Sequence, residues 1–381
     1  MLSRRDFIST AAAGSTFLAA TDLLAATGPG GLMETKGKVA DEPLPTNDGE
    51  GDGKYRPRFR TGFGGVAIGN GFAATTDEES QAALEAAWSA GVRYFDTSPF
   101  YGYGLSERRL GRFLHNQKPD DYVLSTKVGR VFTATKEPLP PSLWKSPAPF
   151  KFKYDYTAAG TRRSIEDSLQ RLGVSQIDVV FIHDLSPDND DMGEKWTEHF
   201  EVAAKGAMPE LTRMREEGLI KGWGFGVNRP EPALRAVEVA DPDLFLLATQ
   251  YSLIDHKEAL EKTLPALEKK GVSVVVGAPL MAGYLAGRER YLYDGTIPEW
   301  APAKRANLSA AAEKHGIDLR TASLQFAAAP KVVSAVIPGV RTPGQAAANA
   351  ESMKVEIPGA FWEELKRDGL IAEEAAVPGE V

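Results

Sequence analysis

Four side chains of different chemistry stand at or just past the ends of three short apolar runs. Asp96 closes Arg93-Tyr94-Phe95-Asp96, and Tyr101 follows in the next turn. Lys127 closes Val123-Leu124-Ser125-Thr126-Lys127, and His183 closes Val179-Val180-Phe181-Ile182-His183. Taken singly, each has an ordinary role: a charge entering solvent, a packed loop aromatic, a satisfied core histidine. Taken together they form a set for moving protons. A phenol with a pKa of about 10 is a poor donor at neutral pH. A neighbouring ammonium stabilises the phenolate and lowers that value. A carboxylate paired with the lysine fixes its position and charge, and an imidazole can orient a substrate oxygen. Such a set handles the proton of an alcohol or a carbonyl. It holds no nucleophile and no metal, so a hydride acceptor must complete the reaction.

Elements able to bring these residues together are legible along the chain. Strands are expected near Phe63–Ile68, Arg93–Asp96, Tyr122–Thr126, Val179–Ile182, Gly222–Val227, Leu244–Thr249, Val272–Val276 and Val333–Ile337. Between them run apolar positions at helical spacing, such as Leu84, Ala87, Trp88 and Gly91, or Ile165, Leu169 and Leu172. Glycines at 91, 173, 218, 271 and 316 punctuate the helix ends. Eight strand–helix repeats favour an α/β fold of the closed (β/α)8 TIM-barrel type, with an open doubly wound sheet as the alternative. In a barrel the four residues would share one rim.

Three connections after strand ends are long. Val131 to Tyr156 carries five prolines, and Trp144, Phe150, Phe152, Tyr154 and Tyr156 stand in its second half. Leu185 to Gly206 is acidic, and Met281 to Trp300 carries Tyr284, Tyr291 and Tyr293. At the active face of a barrel, such loops are expected to form substrate walls or lids.

The rest of the composition sets limits. The 381 residues are 43% hydrophobic and 25% charged, close to the globular average. A net charge of −8 argues against broad binding of nucleic-acid phosphates. With no cysteine, thiol catalysis, disulfides and iron–sulfur ligation are excluded. The five histidines show no metal-ligand spacing. Gly62-x-Gly64-x-x-Ala67 fits a dinucleotide fingerprint in form only, since it lies inside a strand signal. Asp188 to Gly193 resembles a calcium loop, but Met192 occupies a ligand position.

The N-terminus has its own character. Ser3-Arg4-Arg5-Asp6-Phe7-Ile8 precedes an uncharged Ala-rich stretch, the layout of a twin-arginine export signal over residues 1–27. A flexible leader is expected over 28–58, a single barrel over 59–372 and a tail over 373–381. The export machinery would be a partner and the periplasm the destination, with the cytoplasm as the alternative. No run is apolar and long enough for stable membrane insertion.

Gly91-Val92-Arg93-Tyr94-Phe95-Asp96-Thr97-Ser98-Pro99-Phe100-Tyr101-Gly102 resembles the second-strand signature of the aldo-keto reductase superfamily. Ser125-Thr126-Lys127-Val128-Gly129, Ile182-His183 and Ile337-Pro338-Gly339 are similar to its later motifs, in the same order from about Thr61 to Ile371. Gly104 to Gly111, Ser164 to Leu169 and Gly226-Val227-Asn228 resemble the D-threo-aldose (L-fucose, L-galactose) 1-dehydrogenase branch, to which pyridoxal dehydrogenase is also similar. The resemblance implies oxidation of an aldose at C1 with NAD or NADP. Tyr101 would transfer the proton, Lys127 and Asp96 would tune it, and His183 would orient a small sugar or aldehyde. A general aldehyde reductase and a barrel that binds sugar with little turnover are the alternatives.

The resemblance also implies a cofactor trough. Asn228 and Gln250 would hold the nicotinamide carboxamide, and Ala278, Pro279 and Leu280 would run under the pyrophosphate. Gly339, Arg341, Gln345 and Asn349 would bind the adenosine end. Arg341 suits a 2′-phosphate and tilts the choice toward NADP. The chain departs from the family pattern at Ala278, where many relatives carry an aromatic, and at Gln345 and Ala348.

Overall fold

In the computed structural model, residues 34–47 and 53–379 are described. The expected export signal lies outside them. Ten strands form: β1 (Gly62–Gly64), β2 (Tyr94–Asp96), β3 (Val123–Val128), β4 (Arg130–Ala134), β5 (Phe150–Tyr154), β6 (Val179–His183), β7 (Gly222–Val227), β8 (Leu244–Ala248), β9 (Ser273–Gly277) and β10 (Val333–Ile337). Eight of them run parallel in the order β1-β2-β3-β6-β7-β8-β9-β10. Bridges from Thr61 to Val336 and from Gly64 to Gly339 join the two edges, so the sheet closes as the expected (β/α)8 barrel.

Side-chain parity along the strands then decides what faces the lumen. Tyr94, Val123, Val179, Phe181, Leu244, Leu246, Ala248, Val275, Ala335 and Ile337 pack together inside the cylinder. Their neighbours Phe95, Leu124, Val180, Ile182, Phe245, Leu247, Val274 and Val276 point out against the helices. The period of two continues to the strand ends, which puts Asp96, Lys127 and His183 on the lumen side. Pairing registers Asp96 with Ser125, Lys127 with Phe181 and His183 with Gly226. No side chain at Gly226 crowds the lysine: a Cβ there would lie 3.2 Å from Phe181 Cβ and 3.5 Å from Lys127 Cε.

The helices follow local rules. Asp77–Ser89 starts with a capping box between Thr76 and Glu79. Ala158–Leu172 is capped by Thr157 and ends on Gly173 at φ +67°. The helix after β8 includes a π turn, Ala259–Thr263, before Leu264–Glu268. Pro265 lacks the N–H that a regular turn requires there. No helix among the described residues is long and apolar enough to cross a membrane.

The expectation of a flexible leader over 28–58 is corrected for its described residues. Val39 pairs antiparallel with Val355, and Thr46 with Phe59. Lys38 forms an ion pair with Glu356 at 2.8 Å. Tyr55 and Phe59 pack on the lumen cluster and close the barrel where its strands begin. Tyr55 N–H donates to Asp243 at 3.2 Å, just ahead of β8. Polar and glycine-rich composition hid these anchors. The tail is anchored as well, with Ala375 and Val377 buried.

The first strand is shorter than expected. Ala67–Gly69 forms a 3₁₀ turn, because Gly65 N–H pairs with the Asp96 carbonyl and the chain then bends away from the sheet.

Candidate active site

At the C-terminal rim, Lys127 Nζ donates to both Asp96 oxygens, at 2.7 and 2.9 Å, and to the Thr97 carbonyl at 2.7 Å. Ser125 Oγ donates to Asp96 Oδ1 at 2.7 Å. The lysine and aspartate are almost wholly buried. Burial pushes the Asp96 carboxyl up and the Lys127 ammonium down, while each attracts the other's charge.

Tyr101 lies above this pair, with Lys127 Nζ 4.7 Å from its ring centroid. Its loop is pinned at Gly102, which sits at φ +65°. A Cβ at Gly102 would meet the Gly69 carbonyl oxygen far inside contact distance. The expectation that the ammonium lowers the phenol is corrected. All three Lys127 hydrogens are committed to Asp96 and Thr97. Burial, followed by the Asp96 carboxylate, pushes the Tyr101 hydroxyl well above the ordinary phenol range.

His183 completes the rim, its ring centroid 5.9 Å from that of Tyr101. Ser98 Oγ lies 3.2 Å and Arg130 Nη1 3.3 Å from His183 Nδ1. Burial first, then the Arg130 and Lys127 charges, hold the imidazole well below its ordinary value. Asp184 follows at φ +46°, a left-handed conformation uncommon for aspartate, and its carboxylate pairs with Arg130 at 3.0 Å.

All four rim residues line one cavity of about 730 Å³. The connection after β3 supplies a wall that the sequence indicated only by its aromatics. β4 and β5 pair antiparallel, Arg130 opposite Tyr154, as a hairpin over the rim. Phe100 packs edge-on against Trp144 and Phe152, at 5.5 Å to each. Trp144 and Tyr293 line the cavity, whereas Tyr284 and Tyr291 are buried and do not line it. Asp188, Asp190 and Asp191 add carboxylates from the loop after β6.

The trough expected for a cofactor is continuous with this pocket. Asn228, Ala278, Pro279, Leu280, Gly339, Arg341, Gln345 and Asn349 all line it. Gln250 does not line it; its amide instead donates to the Asn228 carbonyl. Arg341 lines the trough but uses its guanidinium on the Gly71 and Ala73 carbonyls, at 2.6 and 2.8 Å, and on Thr75. Arg288 and Arg290 lie beside it along the loop after β9. Arg290 donates to the Ala282 carbonyl at 2.6 Å and covers the Phe72 ring at 3.7 Å. The helix Pro343–Ser352 begins at the trough, with Thr342 capping Gln345 N–H. Cationic side chains and a helix N-terminus fit the phosphates of a dinucleotide, and the trough leads from them to Tyr101.

Arg130, Ser98, Asp184 and Arg288 escaped the sequence reading. Arg130 follows Gly129 at φ +115°, which breaks strand parity, so no periodicity points to it. Its place three residues after Lys127 was the available signal.

A parallel barrel with a buried acid–base cluster and an adjoining phosphate-ready trough defines a nicotinamide-dependent oxidoreductase class. The chain belongs to the aldo/keto reductase family, whose model matches residues 60–367. Members of this family use NAD(P)H. The chain is 36% identical to D-threo-aldose 1-dehydrogenase of a Pseudomonas species, over 81% of this chain and 94% of that one. It is 35% identical to pyridoxal 4-dehydrogenase of Microbacterium luteolum, over 82% and 94%. Among solved structures, the holo form of an aldo-keto reductase from Bacillus halodurans superposes with a TM-score of 0.63 at 22% identity, covering 90% of this chain and 99% of that one.

Proposed function

We propose that the protein is an aldose 1-dehydrogenase, oxidising the anomeric carbon of a neutral sugar to a lactone. The observation that carries the reading is the convergence of Asp96, Tyr101, Lys127 and His183 on one cavity, together with likeness to an aldose dehydrogenase along nearly its whole length. Bound NAD(P)+ supplies the hydride acceptor. Tyr101 Oη, once its own proton has left to solvent, would take the hydroxyl proton as the phenolate, His183 Nε2 would hold the same oxygen, and the Asp96–Lys127 pair would fix the field beneath the ring. The carboxylates after β6 and the Trp144 and Phe100 rings suit the hydroxyls and apolar face of a sugar. Because the phenol is pushed up, oxidation gains rate as the pH rises through the alkaline range.

Arg288, which lines the trough, supports NADP as the preferred cofactor. The opening Ser3-Arg4-Arg5 segment supports export of the folded protein to the periplasm with its cofactor already held. Protein purified without added cofactor is then expected to carry nicotinamide, detectable by mass spectrometry. An empty site with millimolar affinity would remove that part of the reading.

The test of the activity is a panel of L-fucose, D-arabinose, L-galactose, L-xylose and pyridoxal with each cofactor, followed by absorbance of the reduced nicotinamide. Aldose oxidation supports the proposal. Turnover of pyridoxal alone would favour the aromatic walls as the recognition element. In Tyr101→Phe, turnover is expected to fall by about 10²- to 10⁴-fold, with cofactor binding retained. Activity like that of the unaltered protein would refute the role of Tyr101.

A further inference from the structure

We propose that Arg130 is a positioning residue that fixes His183 as its neutral Nε2–H tautomer, so that the imidazole presents a hydrogen-bond donor, and never a base, to the substrate oxygen. The inference rests on the proposed reaction only for the identity of that oxygen.

The geometry admits one arrangement. A guanidinium has N–H donors, no acceptor, and a charge it does not lose. With Arg130 Nη1 at 3.3 Å, His183 Nδ1 must offer a lone pair. A hydrogen on Nδ1 would point donor against donor, and an imidazolium would add charge repulsion. Ser98 cannot make this choice, since a hydroxyl both donates and accepts. Its Oγ, 3.2 Å from Nδ1, also accepts the Phe100 N–H at 3.1 Å. The tautomer therefore follows from the arginine.

Arg130 is itself held from three sides. Asp184 pairs with it at 3.0 Å, the Tyr154 hydroxyl accepts from Nη2 at 3.2 Å, and the Phe100 ring lies 4.0 Å from the guanidinium carbon. The hairpin opposes Arg130 to Tyr154, so its register sets where the guanidinium lies. Tyr156 donates to the His183 carbonyl at 3.0 Å and fixes the backbone. The titratable groups around the imidazole are Tyr101 from the loop after β2, Lys127 from β3, Arg130 from β4 and its own neighbour Asp184, with Asp96 from β2 in the same cavity. Asp184 Oδ1 lies 3.4 Å from Nε2, while its other oxygen pairs with Arg130. The two cations dominate this set, in agreement with an imidazole kept neutral.

The full-length protein labelled with ¹⁵N-histidine provides the test, with the His183 signals among the five histidines assigned by their loss in His183→Asn. One protonated nitrogen, Nε2, is expected, unchanged from pH 9 to pH 5. In Arg130→Gln the amide oxygen can accept from Nδ1–H, so both tautomers are expected. An ionisation near pH 6.5 should then appear in the spectrum and in kcat/KM, with kcat falling about tenfold and the KM for cofactor unchanged. Arg130→Lys, again a cation without an acceptor, should restore the single tautomer and remove the ionisation near pH 6.5. If Arg130→Gln does not fold, Ser98→Ala decides: an unchanged spectrum supports the arginine, and mixed tautomers overturn it. An Nδ1–H signal in the unaltered protein, or no change in Arg130→Gln, also overturns the proposal. The spectra need no turnover, so a protein inactive on aldoses but showing one tautomer would refute the proposed reaction and leave the lock standing.

Discussion

Lys127 and Asp96 meet through two hydrogen bonds, at 2.7 and 2.9 Å, with the ammonium and the carboxylate both buried at the mouth of the barrel. Breaking such a pair leaves one uncompensated charge out of water. Asp96→Asn or Lys127→Met alone is expected to cost about 3–5 kcal/mol, read by urea denaturation. The double variant should recover much of that stability, because neither charge remains, while staying inactive. Double-variant stability no better than that of the singles would show that the pair does not act as a unit.

Of the three arginines of the trough, Arg341 builds it, and Arg288 is the one expected to meet a ligand. Arg341→Ala should lower stability by about 1–3 kcal/mol, since the Gly71 and Ala73 carbonyls lose their donor. Arg288→Ala should leave stability alone and raise the KM for NADP about tenfold, with that for NAD unchanged. Kinetics with each cofactor distinguish them. The reverse pattern would return the 2′-phosphate to Arg341.

Gly102 combines a left-handed backbone with close approach to Gly69. Gly102→Ala should therefore destabilise by at least about 1–3 kcal/mol and move the Tyr101 loop. A fall in kcat accompanied by a lower unfolding midpoint is expected. An alanine variant as stable and active as the original would show that the loop yields without cost.

His256 links the loop after β8 to the C-terminal segment. Its Nδ1 lies 3.0 Å from the Ser252 carbonyl, and its Nε2 accepts the Ala372 N–H at 3.1 Å. Burial, then the Lys304 charge, hold it down at about 4. The folded value lies below the unfolded one. The contribution is thus complete above about pH 6.5 and lost as the pH falls through about 4, with a ceiling of about 3 kcal/mol. Urea midpoints from pH 8 to pH 4 should fall less steeply in His256→Gln. The protection of the Ala372 amide, taken relative to intrinsic exchange at each pH, should fall over the same range. Parallel slopes would exclude this histidine as the acid-sensitive latch.

The order of strands and helices, and the placing of Asp96, Lys127 and His183 at strand ends, were readable in the sequence because each is a local property. Apolar runs, helical spacing and glycine stops set them before any distant contact forms. Parity within a strand then carried those three side chains to the lumen once the barrel closed. Tyr101 was visible through its motif, but the turn that holds it depends on Gly102 touching Gly69, two segments apart in the chain.

Other features were settled only by the folded chain. Residues 34–47 and 53–58 look unstructured by composition, yet pair with Val355 and plug the lumen with Tyr55. Gln250 and Arg341 carry the right chemistry for a cofactor, but Asn228 and the Gly71–Thr75 turn occupy their polar groups. The Tyr101 hydroxyl was expected to drop beside a lysine, and instead rises through burial and then the Asp96 carboxylate, while that lysine's hydrogens go to Asp96 and Thr97. The sequence by itself therefore determined which elements form and which chemical groups reach the rim. The tertiary structure decided which of those groups remain free to act, because competition for hydrogen-bond partners in a crowded, water-poor site is settled by three-dimensional neighbours and not by position in the chain.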